Sequence, residues 1–371
     1  MTFLNRLGLS VPLVQAPMAG VSTPALAAAV SNAGALGSIG VGATDAAGSR
    51  KMIGELRART GRAFNVNLFV HSTPQGDAER EASWLEWLAP LFAEFDAAPP
   101  ATLRTIYKSF ADDAEMLAIL VDASPPVVSF HFGLPSAEAL SALRTRGVLL
   151  MATATSLQEA RAIAAAGIDV IVAQGIEAGG HRGMFDPTKP DNALGTIALT
   201  RLLVRETRLP VIAAGGIMDG AGIAAALNLG AVAAQLGTAF IACPESAADD
   251  AYRAALRGRG AWHTTMTSLF SGRPARALAN RFTDLADHVA NRRPPDYPVA
   301  YDAGKALNAA AKAQGEHGFG AHWAGQGAPL ARTMPAARLV ATLRRELQTV
   351  ETVARERVAR AMTTVKHADE R

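Results

Sequence analysis

Eight short apolar runs recur along this chain, at 12–16, 36–41, 63–70, 127–132, 148–153, 170–174, 211–214 and 231–236, with alanine-rich helical stretches between most of them. A run of that kind is suited to burial on both faces, and intervening helices supply the crossovers that parallel strands require. The pattern predicts an α/β fold, a (β/α)8 TIM barrel. Gly34, Gly147, Gly167 and Gly230 each stand where a left-handed helix C-cap belongs. Ser156 and Glu159 form a capping box, and Asp219 is placed to cap the helix after it.

A faint internal repeat supports the regular architecture. Residues 164–174 and 224–235 both pass from an alanine-rich helix end through glycine into a strand that closes on glutamine. Gln174 and Gln235 therefore occupy equivalent strand ends, the side of a barrel where active sites assemble.

Two regions break the rhythm. Residues 71–124 carry a polar and aromatic insertion with Trp84, Trp87 and Tyr107, read as helical elaboration beside the third strand. From 243 to 326 the chain is richer in Arg, His, Trp and Pro. The expected division is a barrel over 1–242, a second, smaller and mainly helical domain over its mouth at 243–326, and a C-terminal segment at 327–371. Within that last segment, 336–362 reads as an amphipathic helix returning to the barrel.

Composition narrows the class. At 371 residues, 49% hydrophobic with a formal charge of +3, the chain can bury a large core and has no block of basic residues suited to nucleic acid. The lone Cys243 excludes an internal disulfide framework and fits a reducing compartment, so the cytoplasm is the expected location. The N-terminus, interrupted by Pro12, Gln15 and Pro17, does not read as a signal peptide, and no apolar run suits a membrane span.

The richest motif is 174–183, Gln-Gly-Ile-Glu-Ala-Gly-Gly-His-Arg-Gly, where a buried strand empties into glycines around one histidine. Glycines admit close backbone approach to a ligand, and histidine can exchange a proton near neutral pH. His181 therefore reads as functional. His131, at the fourth strand end, reads either as catalytic or as a core histidine satisfied by hydrogen bonds, and His71 reads as structural. No metal-ligand spacing accompanies any of them. Asn65 and Asn67 share one strand face, and an inward asparagine needs a partner: a cofactor ring or a neighbouring backbone group. The small residues at 214–220 and 235–239 follow the seventh and eighth strands, whose loops commonly bind phosphate in barrels; tight packing is the plain alternative. Tyr297, Tyr301 and Lys305 are spaced four apart, so on a helix they form one polar face able to meet an anion.

Taken in order, 15–20, 31–38, 64–69 and 174–183 resemble the successive motifs of the nitronate monooxygenase family, formerly 2-nitropropane dioxygenases, in its class I branch. The resemblance spans nearly the whole chain. It implies an FMN barrel that oxidises alkyl nitronates with O2 to an aldehyde or oxo acid plus nitrite or nitrate, by electron transfer from bound nitronate to flavin. Propionate 3-nitronate is the substrate the class I pattern favours. On that resemblance Met18, Asn67, Gln174, Gly179, Gly180, Gly216, Gln235, Gly237 and Thr238 contact FMN. His181 is the active-site histidine, and Tyr107, His131, Tyr297, Tyr301 and Lys305 line the substrate pocket. The expected partners are the nitronate and O2, without nucleic acid or membrane, in a monomer or homodimer.

Three readings compete. A flavin-dependent NAD(P)H:quinone or enoyl-thioester reductase on the same barrel shares the glycine loops. A cysteine nucleophile, as in inosine monophosphate dehydrogenase, belongs in a loop over the ligand, whereas Cys243 lies past the eighth strand. A non-catalytic flavin or phosphate carrier has little use for His181.

Overall fold

The computed structural model describes residues 2–289 and 292–369, with side chains through 357. In chain order its strands are β1 (Leu13–Gln15), β2 (Gly37–Gly40), β3 (Phe64–Phe69), β4 (Val127–His131), β5 (Leu149–Ala154), β6 (Val170–Gln174), β7 (Gly180–His181), β8 (Val211–Ala214), β9 (Ala233–Leu236), β10 (Thr264–Thr267) and β11 (Ala275–Leu278). The helices are α1 (Phe3–Leu7), α2 (Pro24–Asn32), α3 (Ala46–Arg57), α4 (Ala78–Ala93), α5 (Ala114–Ala123), α6 (Ala137–Thr145), α7 (Leu157–Ala165), α8 (Thr196–Glu206), α9 (Gly220–Asn228), α10 (Thr238–Ile241), α11 (Asp250–Arg257), α12 (Val299–Ala313) and α13 (Ala336–Asp369).

Eight strands pair in parallel in the order β1-β9-β8-β6-β5-β4-β3-β2, and a parallel bridge between Val14 and Leu36 closes the ring. The result is a TIM barrel. Side-chain caps set where its ring helices begin: Thr23, Asp45, Asp113, Ser136, Ser156 and Asp219 each accept a backbone N–H from the first turn. Along β3 the two faces separate by the period of a strand. Phe64, Val66 and Leu68 pack under the helices, while Asn65 and Asn67 bond to Ser38 and Ser129 of the neighbouring strands. Inside, Val14, Leu36, Val127, Met151, Val172 and Ile212 fill the barrel, with Phe3 of α1 among them. The long α13 packs on α9 and α2, burying Leu339, Val340 and Leu343, which completes the outer ring.

The covering layer draws on two parts of the chain. Trp84, Leu88 and Phe92 of α4 pack with Phe270, Phe282 and Leu307, so the insertion read as decoration of the third strand stands over the mouth beside α12. Its second helix, α5, takes the regular place in the ring against α3 and α6. Besides helices, the covering segment holds β10 and β11, which pair antiparallel and continue onto β7 of the histidine loop. That small sheet escaped the sequence because β7 is two residues long and its partners are 264–278.

Candidate active site

The loop after β6 is laid down by backbone contacts that leave no room for side chains. Gly175 donates to Ala214 O, and a Cβ on Gly179 would sit 2.4 Å from Gly325 N and 2.5 Å from Ala324 C. Only glycine lets the two backbones cross there. The chain then pairs with β11, His181 opposite Ala275, and Arg182 N donates to Pro274 O at 2.8 Å.

Arg182, to which the sequence assigned no role, anchors this loop. It is 1% exposed, grips Asp191 through Nε and Nη2 at 2.7 and 3.0 Å, and donates from Nη1 to Gln174 O and Gly175 O. A two-pronged, charge-assisted pair of this kind fixes geometry as well as energy. Gln174 continues the frame: its Oε1 accepts from Gly183 N and its Nε2 donates to His181 O at 2.9 Å, which leaves one Nε2 hydrogen for a ligand.

The same carbonyl of His181 receives a second donor, His131 Nε2, at 3.1 Å. A carbonyl can only accept, so His131 carries its proton on Nε2 and accepts at Nδ1 from Thr153 Oγ1. Burial first, then the Arg273 and Arg182 charges, push its pKa down to about 4. His131 is thus a neutral, fully engaged side chain.

His181 differs. Ser271 Oγ donates to Arg273 O and lies 2.9 Å from His181 Nε2, which assigns that nitrogen as the donor. Nδ1 has no protein partner among the described residues and is left as a proton acceptor. Burial, followed by His131 and Arg273, holds the pKa of His181 well below the ordinary range. Trp323, Tyr297, Phe132 and Tyr301 surround its ring at centroid distances of 5.0 to 6.0 Å.

On the far side, α12 presents Tyr301 and Lys305 one turn apart, and Tyr297 precedes the helix. Lys305 Nζ bonds Tyr107 Oη and lies 4.8 and 5.4 Å from the Tyr107 and Tyr301 ring centroids. Among the described residues it has no carboxylate partner. Tyr107 is carried in by the insertion, whose Arg104 binds Asp302 of α12 through its backbone N and its guanidinium. Burial pushes the Tyr297 and Tyr301 hydroxyls upward, so both stay protonated donors.

The remaining wall is made of the β1, β3, β8 and β9 exits. Asn67 donates Nδ2 to Ser129 O and Oγ, which leaves its Oδ1 open, and Gln235 has no side-chain partner among the described residues. Gly216 has φ +68°, and Thr238 Oγ1 accepts from Gly325 N. Every residue singled out above as a flavin, catalytic or substrate contact lines one cavity of about 520 Å³: Met18, Asn67, Tyr107, His131, Gln174, Gly179, Gly180, His181, Gly216, Gln235, Gly237, Thr238, Tyr297, Tyr301 and Lys305.

His71 lies behind the cavity, donating Nδ1 to Ser72 O and packing edge-on against Tyr297. Cys243 is buried away from the cavity, and burial pushes its thiol up to about 12, which removes the cysteine-nucleophile reading. No group of His, Cys, Asp or Glu suited to a metal occurs among the described residues, and no helix there is long and apolar enough to cross a membrane. Sequence reasoning missed Thr153, Ser271, Arg273 and Trp323. Three of these lie in the region without βα rhythm, and no spacing marks them.

The family model for nitronate monooxygenase matches residues 2–346. A nitronate monooxygenase of Paraburkholderia phytofirmans is 62% identical over 93% of this chain and 94% of its own, and one of Pseudomonas aeruginosa is 55% identical over 93% and 99%. The solved nitroalkane oxidase of Streptomyces ansochromogenes aligns with a TM-score of 0.87 at 41% identity, covering 95% of this chain and 100% of that one. FabK of Thermotoga maritima aligns at 0.72 with 29% identity, covering 96% and 97%.

Proposed function

The chain belongs to the nitronate monooxygenase family of oxidoreductases, and from that premise we propose that it binds FMN and oxidises alkyl nitronates with O2, with propionate 3-nitronate as the preferred substrate. The products are an aldehyde or oxo acid and nitrite or nitrate. One observation carries the reading: a lysine without a carboxylate partner, two protonated tyrosines and a histidine whose Nδ1 is open among the described residues face the same cavity as the small-residue loops after β8 and β9.

The cavity's polar groups fit a flavin mononucleotide. Its volume lies in the range of cofactor sites. Among the described residues Asn67 Oδ1, the Gln235 amide and one Nε2 hydrogen of Gln174 have no protein partner, and they suit the polar edge of a ring, with Met18 against its apolar part. Gly216, Gly237 and Thr238 offer backbone and hydroxyl groups to a phosphate. When bound, FMN supplies an electron acceptor that a nitronate can reduce and O2 can reoxidise.

A nitronate is already a carbanion equivalent, its charge spread onto the nitro oxygens, so no proton has to be removed from it. The protein has to hold an anion and keep water away. Lys305 and the hydroxyls of Tyr107, Tyr297 and Tyr301 stabilise that charge, and burial of the last two strengthens their part of it. The carboxylate of propionate 3-nitronate gives Lys305 a second anion to bind. With a neutral nitroalkane, His181 Nδ1 is the site that accepts the α-proton.

The test is to purify the protein, release and identify its flavin by mass, and record oxygen uptake with propionate 3-nitronate beside NADH oxidation with a quinone or an enoyl thioester. FMN and nitronate-dependent uptake are expected. NADH-dependent reduction without nitronate-dependent uptake would replace this reading with the flavin reductase.

A further inference from the structure

Behind the cavity wall lies a buried cation that is outside the cavity lining and is none of the cofactor or substrate contacts proposed above. Arg273 is 3% exposed, yet no carboxylate pairs with it among the described residues. Its Nη2 donates to Met184 O, its Nε has no partner, and its Cζ sits 4.2 Å from the centroid of Phe132. The acids facing it are committed elsewhere. Glu159 accepts from Thr155 N, Thr155 Oγ1 and Phe185 N, and Asp186 accepts from Thr188 and pairs with Lys189. Burying a charge without a counter-charge is costly, so its retention calls for an explanation.

The surroundings supply one. Phe132, held at the strained φ of +78°, lies between the guanidinium and the site, with its ring 4.5 Å from His131, 5.3 Å from Tyr297 and 5.6 Å from His181. The Arg273 backbone brackets Ser271 Oγ, which holds His181 Nε2. The cavity itself has no free negative charge among the described residues: Asp249 is the acid in its lining, and it pairs with Lys312 at 2.7 Å.

We propose that Arg273 is a positioning residue: its uncompensated guanidinium, stacked on Phe132 and tied through Ser271 to His181, imposes a fixed positive field that reserves the site for an anion. The inference rests on the nitronate reading and deepens it. The groups within that field are His71 after β3, His131 on β4, His181 on β7 and Tyr297 before α12, with Arg182 beside them and Glu159 and Asp186 on the outer side. The field opposes protonation of all three histidines, in the same direction as burial. A protonated His181 would lose its Nδ1 acceptor, so the field also preserves the base.

Histidine-labelled, flavin-loaded protein tests this by NMR titration of wild type, Arg273→Gln and Arg273→Lys. In Arg273→Gln the buried histidines should titrate about one pH unit higher, the acid limb of kcat/KM should move up with them, and KM for ethyl nitronate should rise about 10-fold with a smaller change in kcat. Unmoved histidine titrations in a folded Arg273→Gln protein would overturn the proposal. So would a loss confined to kcat. If Arg273→Gln gives no cooperative melt, Arg273→Lys decides. A buried lysine loses its proton more readily than arginine, so an added alkaline limb in kcat/KM supports the field and a profile identical to wild type refutes it. The titrations need no substrate, so absence of nitronate turnover would remove the functional reading while leaving the spectra to judge Arg273.

Discussion

His131 donates its Nε2 hydrogen to the backbone carbonyl of His181 across 3.1 Å, and so one histidine sets the position of the other. With Gln174 on the same oxygen and Ser271 on the ring, the loop of His181 is held from β4, β6 and the covering segment together. Replacing His181 by Asn should lower nitronate turnover by roughly 10²-fold with flavin retained. Replacing His131 by Phe, which removes one of two donors to the carbonyl, should cost about 10-fold by the same reasoning. Oxygen-uptake kinetics on flavin-matched samples check both, and a His131→Phe enzyme equal to wild type would count against the positioning role.

Lys305 is exposed to the cavity without a carboxylate partner among the described residues. Lys305→Met should therefore raise KM for propionate 3-nitronate by roughly 10-fold or more, and KM for the uncharged-chain ethyl nitronate by much less, since only the former loses a second ion pair. Equal losses on the two substrates would contradict the assignment.

Gly216 has φ +68°, and a Cβ there would lie 3.3 Å from Glu177 Cβ. A valine at this position strains the backbone and intrudes beside the loop proposed to hold the phosphate. Gly216→Val should purify with little flavin, read from its visible absorbance. A fully yellow variant would relocate the phosphate.

Asp191 neutralises Arg182, which is 1% exposed. Asp191→Asn leaves that charge buried without a counter-ion, a change that typically costs about 3–5 kcal/mol. Denaturant unfolding should show the midpoint falling accordingly, whereas a surface pair such as Arg50 with Asp122 should be nearly silent when broken.

Acid should destabilise the fold through its buried histidines. The pKa of His131 falls from 6.5 to about 4 on folding, so its neutral form is the one the native state holds. The associated stability is fully present above pH 6.5 and is lost as pH falls toward 4, on the order of 3 kcal/mol for this group. Unfolding free energies at pH 7.5, 5.5 and 4.5 should decline in that order, with a shallower decline in His131→Phe. A flat profile over that range would show that His131 is not buried neutral.

The barrel was legible because buried parallel strands are written as continuous apolar runs, and because glycine and Asp, Ser or Thr mark helix ends by local chemistry. Asn67 and Gln174 stood out for the same reason: a polar side chain within or at the end of a strand breaks an apolar pattern. The pairing of α4 with α12 was not, since an amphipathic helix records that it has a partner and not which one. Nor were the two strands that extend β7, where main-chain pairing bridges about 95 residues of sequence.

Periodicity and turn chemistry, both short-range, thus determined the barrel and which strand exits carry polar groups. Only the tertiary structure decided which buried charges are compensated. Arg182 and Arg273 look alike as residues in a chain, but one meets Asp191 and the other meets the face of Phe132. Coulomb energy depends on distance through space and on the dielectric between charges. Neither quantity is set until residues as far apart as His181 and Ser271 are brought within 2.9 Å.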